Sequence, residues 1–83
     1  MSRVINEPVL VYMNHGVVPI SFIWQHRHYK VVEVLSWWRD PAAWWDGEPV
    51  KLLVRLIAAR GTTSGVYELG RYDKDWFLQK VLD

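Results

Sequence analysis

Alternation over residues 19–38 (PISFIWQHRHYKVVEVLSWW) restricts this chain more than any other feature. Ile20, Phe22 and Trp24 alternate with Ser21, Ile23 and Gln25, and a period of two belongs to an extended strand, whose successive side chains point to opposite faces. After a turn at Gln25-His26-Arg27-His28 the alternation resumes, with Tyr29 and Val31 on one face and His28 and Lys30 on the other. Residues 19–38 therefore read as two strands folded back on each other. The turn holds neither Gly nor Asn, so a two-residue primed turn is disfavoured there. Beyond Val31 the phase breaks, because Val34 and Leu35 are the expected core residues while strict alternation would bury Glu33. One extra residue near Val32-Glu33 restores the phase, which is what a β-bulge does. Bulged, bent strands are how a small sheet curls.

The remaining elements are placed around this hairpin. Residues 1–7 are expected as a frayed lead-in. Residues 8–13 follow as a first strand, with Pro8 at its start where a missing N–H is tolerated. Asn14-His15-Gly16 makes a turn, and a strand over 17–25 carries Pro19, which suits an edge or a non-bonded position. Asp40 as N-cap with Pro41 behind it starts one short helical turn that Gly47 and Pro49 end. Residues 50–59 suit either a strand or a helix, and their β-branched content and flanking turns favour a strand, central because both of its faces are apolar. A loop over 61–65, a strand over 66–71, a turn over 72–75 and a last strand over 76–82 complete the chain. The expected fold is all-β: one domain, a small curled antiparallel sheet or barrel of five to six meandering strands with one short helical turn. Eighty-three residues bury a limited core, and the six Trp, four Tyr and two Phe compensate with roughly 150–250 Å² each when buried.

The order Pro19-x-x-Phe22-x-Trp24-x-x-Arg27-x-Tyr29-x-Val31, then Val34-Leu35, Trp38 and Trp44-Trp45-x-Gly47, then Gly65-Val-Tyr-Glu-Leu69 and Trp76-x-Leu78-x-x-Val81-x-Asp83 resembles a family of small bacterial domains of unknown function that accompany Y-family DNA-polymerase-like proteins of the mutagenic repair type. The family commonly has Gly before the turn Arg, where this chain has His26, and its strand before Gly61 is less apolar. The resemblance implies a role near DNA repair by association and no activity of its own.

Function is less legible than fold. The net charge of +1 does not by itself argue for nucleic acid. The absence of cysteine excludes disulfides and thiolate zinc and fits a cytoplasmic protein. No apolar run is long enough to span a membrane, and the first residues lead us to expect no signal peptide. Ser21, Ser36 and Ser64 lack a nucleophile elbow, residues 61–65 lack the Lys of a phosphate loop, and Asp40, Asp46, Glu48, Asp73 and Asp75 sit where carboxylates cap and turn the backbone. His15, His26 and His28 lack further ligands at zinc spacing. We therefore expect no enzyme, cofactor or metal, but a binding module.

Arg27 and Lys30 at the hairpin, with Trp38, Arg39 and Trp45 from the aromatic cluster, are its candidate residues. Arg holds phosphate in bidentate fashion, and exposed rings stack on bases. The plainer readings are a solvated turn and Trp rings that close one end of the barrel, with one or two of them partly exposed. Single-stranded DNA or a Y-family polymerase-like protein are the expected partners. The alternative is a protein-interaction module or a homo-dimer through residues 50–59, motivated by the second apolar face at Leu53 and Ile57.

Overall fold

The computed structural model describes residues 3–15, 18–40, 51–72 and 75–82. They form seven strands: β1 (Arg3–Pro8), β2 (Leu10–Asn14), β3 (Val18–Trp24), β4 (Arg27–Asp40), β5 (Lys51–Arg60), β6 (Thr63–Tyr72) and β7 (Asp75–Leu82). The sheet order is β1-β7-β6-β5-β4-β3-β2, antiparallel throughout. β2 to β7 are the expected meander, and β1 adds on the far side of β7. Only Val9 separates β1 from β2, so one stretch of chain supplies both edges and curls the sheet into a half-barrel. The Val9 N–H donates to the Trp76 carbonyl at 3.1 Å and carries the pairing with β7 up to the start of β2.

Several expectations change. The described residues form seven strands, one more than the upper estimate. Residues 3–8 are no frayed lead-in: β1 pairs with β7 from Arg3↔Val81 to Pro8↔Phe77. Residues 63–65 belong to β6 rather than a loop, because Arg60 pairs with Thr63 across the two-residue turn Gly61-Thr62. Gly61 has φ +63° there, as the first position of a type II′ turn requires. The helical turn expected from Asp40 to Gly47 falls on residues 41–50, outside the described residues. Residues 51–60 are indeed a strand, with three others on each side.

The central hairpin turns on two residues, since Trp24 pairs with Arg27. Gln25 and His26 take φ 53° and 63°, the positive values a type I′ turn needs at both positions. The tight turn disfavoured from sequence is thus adopted without Asn or Gly. Val32 is the expected bulge: Val31 pairs with Ala58 and Glu33 with Ile57. A second bulge follows at Leu35, between Val34↔Leu56 and Ser36↔Arg55. Leu35 is therefore no core residue and is 43% exposed, as Val32 is 63% exposed. β3 pairs with β4 only from Ser21 to Trp24. Pro19 lies past that end, where a strand can lack an N–H without loss.

The core lies on the inner face. Val54, Leu56 and Ala58 of β5 pack with Phe22, Tyr29, Leu69, Leu78 and Val81. The outer face of β5 carries Leu53, Arg55 and Ile57. Leu53 is only 4% exposed, so much of the apolar surface that motivated a dimer through this strand is already covered. Both sides of β5 are also hydrogen-bonded to neighbours.

Candidate functional site

The turn at Gln25-His26 carries the end of the β3–β4 hairpin over β1. Trp24, the last residue of β3, donates its indole Nε1–H to Glu7 Oε1 at 3.0 Å, and Gln25 Nε2 donates to the same oxygen at 3.4 Å. A carboxylate acceptor strengthens the part-buried Trp24 bond relative to a neutral one, so it ties β1 to the hairpin and orients the Trp24 ring, while the longer, exposed Gln25 bond adds little.

Behind this pin lies a ring cluster. Phe22 and Tyr29 stack at 5.0 Å, Tyr67 meets Phe22 edge-on at 5.7 Å and Tyr29 at 5.5 Å, and Trp24 lies 6.2 Å from Tyr29. Tyr29 and Phe22 face each other because the two-residue turn puts them in register; cross-strand aromatic pairs of this kind also stabilise the sheet. Trp24, Tyr29 and Tyr67 line a groove of about 510 Å³, completed by Arg3, Ile5, Glu7, Gln25, Arg27 and Val81. That volume suits a small-ligand site. Arg3 and Arg27 are exposed, and neither forms an ion pair among the described residues. Two guanidinium groups thus face one carboxylate around an aromatic floor. A second groove of about 570 Å³ at the β2–β7 seam has Asp75 as its one charged lining residue among the described residues.

The five sequence candidates do not come together. Arg27 is in the groove. Lys30 lies on the opposite face of β4, beside Ser21 and Ala59, because it is an odd number of residues from Arg27. Trp38 and Arg39 sit up to roughly 35 Å further along β4 at the usual rise per residue. Trp38 is half-buried on the outer face, with the Arg55 guanidinium 5.4 Å from its ring. Arg39 is exposed opposite Leu52. Trp37 faces the other way from Trp38, as adjacent strand residues must, and is 41% exposed. Trp45 lies outside the described residues. Of the two mid-strand glutamates, Glu68 pairs with Arg55 at 3.5 Å and accepts from Gln79 at 3.3 Å while only 2% exposed. Glu33 is exposed opposite Ile57.

Sequence reasoning missed Arg3, Glu7 and Tyr67 as site residues. They reach the hairpin only through the β1–β7–β6 pairing, which no local pattern announces. Among the described residues no three His, Asp or Glu side chains converge as a metal site, and no helix is long and apolar enough to cross a membrane.

Fold and groove together define a small all-β half-barrel with a basic, aromatic-floored groove at one end. The chain belongs to the family described as a domain of unknown function (DUF6504), whose model matches residues 1–83. No curated protein and no solved structure matches it. Family membership establishes the coarse part of the resemblance, a domain of unknown function.

Proposed function

We propose that this domain is a non-catalytic module that binds single-stranded DNA in the groove beneath the β3–β4 hairpin. The observation that carries the reading is the pair of exposed arginines, Arg3 and Arg27, which form no ion pair among the described residues and flank Trp24, Tyr29 and Tyr67. Single-strand sites combine cationic groups that track phosphates with rings on which bases stack. Such a module suits a place beside a repair polymerase that copies damaged templates, the association the family resemblance carries. The test is fluorescence anisotropy of a dye-labelled oligonucleotide, titrated with protein across a salt series. Each phosphate neutralised on a single strand contributes about −0.7 to the slope of log K against log salt, so two arginines give about −1.4. Arg27→Ala is expected to weaken binding and to reduce the slope by about 0.7. Unchanged affinity in Arg27→Ala removes the groove from the account.

A second reading has its own observation. Beyond Lys30 no described strand pairs with the outer edge of β4, and Val32, Leu35 and Trp37 are exposed along it. That edge suits a protein partner or a second copy of the chain. Light scattering across a concentration series distinguishes the two: self-association that persists at high salt speaks for the edge.

A further inference from the structure

We propose that Glu7 selects the base that enters the groove, favouring cytosine and adenine over thymine; this rests on the single-strand reading above. Glu7 is the one acidic residue of the groove lining among the described residues. A carboxylate offers about four lone-pair positions, two per oxygen. Oε1 already accepts from Trp24 Nε1 and Gln25 Nε2, whereas Oε2 accepts from no described residue. The site therefore presents one strong acceptor, held in place by the Trp24 indole, next to rings on which a base stacks. The N4 amine of cytosine or the N6 amine of adenine supplies the single donor that such an acceptor needs. Guanine presents two adjacent donors on its pairing edge, and a matched contact requires both oxygens. Thymine places its O4 carbonyl where cytosine has the amine, so a base seated with that position at Oε2 sets acceptor against acceptor, and its N3–H, one ring position away, reaches Oε2 only if the base shifts in the groove. A bound base shields Oε2 of the half-buried Glu7 from water, and an acceptor so shielded and left unpaired is what makes a polar site reject the wrong ligand.

Cytosine and thymine differ at this position while keeping the same ring size, so the test compares labelled oligo-dC and oligo-dT by anisotropy at one salt concentration. The native chain is expected to bind oligo-dC about tenfold more tightly. In Glu7→Gln the amide oxygen keeps the Trp24 bond and the amide nitrogen becomes a donor, so the preference is expected to invert toward the O4 carbonyl of oligo-dT. Equal affinity of the native chain for the two strands, or an unchanged preference in a folded Glu7→Gln variant, overturns the proposal and leaves the single-strand reading standing. No binding of either strand overturns both. Should Glu7→Gln fail to fold by circular dichroism, an oligonucleotide of N4,N4-dimethylcytosine is titrated into the native chain. It retains the ring and loses the donors, so its affinity is expected to fall to that of oligo-dT; affinity equal to oligo-dC overturns the proposal.

Discussion

Replacing Gln25-His26 by Asn-Gly is expected to stabilise the chain. Both residues are held at positive φ, 53° and 63°, and an L residue with a Cβ costs roughly 1–2 kcal/mol in that region. Asn tolerates the conformation better than Gln, and Gly adopts it freely. Relieving both positions is worth about 2 kcal/mol at the low end of that range. Against it stand about 0.5 kcal/mol for the extra unfolded-state freedom of Gly and a few tenths for the lost Gln25–Glu7 bond, which is long and exposed. The net is about 1 kcal/mol, which for a chain of this size raises Tm by about 4–8 °C. Urea denaturation followed by Trp fluorescence reads it as a higher midpoint with an unchanged slope. His26→Gly alone is expected to give about half the gain. An unchanged or lower midpoint in the double variant would show that the turn is not strained, and the account of the hairpin would fall with it.

Other substitutions probe the rest of the fold. Phe22→Ala removes a fully buried ring from the centre of the aromatic cluster and is expected to cost about 3–5 kcal/mol, read as loss of the cooperative urea transition at ambient temperature. Gly61→Ala meets no atom within 4 Å yet sits at φ +63°, so a loss of about 1–2 kcal/mol is expected from backbone strain alone; a neutral outcome contradicts the type II′ assignment. Arg55→Met strips the buried Glu68 of its cation and, with Arg55 itself half-exposed, is expected to cost about 1–3 kcal/mol. Adding Glu68→Leu to that variant is expected to recover part of the loss, and a purely additive double variant would show that the two side chains act independently.

Sequence legibility followed the range of the interactions. The hairpin, the bulge near Val32 and the strand expected over 50–59 are legible because alternation and its interruption are local. The type I′ turn was hidden because Gln25 and His26 carry no turn signature; strand pairing on either side imposes a conformation that their own propensities oppose. β1 was hidden for a different reason. Arg3, Asn6 and Glu7 give it a polar, end-like composition, and what makes it a strand is β7, more than sixty residues away. The site divides the same way. Arg27 was found as an exposed cation on a hairpin. Parity along β4 already separates it from Lys30, and the distance along the strand separates it from Trp38 and Arg39. Its actual neighbours, Arg3, Glu7 and Tyr67, depend on closure of the curled sheet.

The bulge at Val32 also explains how β4 leaves an apolar edge open without a flat template for other chains. β4 has a described neighbour on only one side beyond Lys30, and unpaired edges invite further strands unless something bends them. Val32 and Leu35 are each the extra residue of a bulge, so the edge is interrupted twice within a few residues. Deleting Val32 tests this cleanly. Val31 lies inward and Glu33 outward in the register with β5, so joining them directly restores regular alternation and leaves every other side chain on its present face. The core residues Val34 and Leu56 remain paired, and an exposed side chain is lost, so stability is expected to change by less than about 1 kcal/mol. What changes is the shape of the edge, which straightens and keeps Leu35 and Trp37 exposed. The deletion variant is therefore expected to stay folded by circular dichroism and to self-associate more than the native chain at equal concentration in light scattering. A folded variant with the native chain's mass at every concentration would mean that the bulge bends β4 only to close the half-barrel, and that the edge is protected by something other than its own shape.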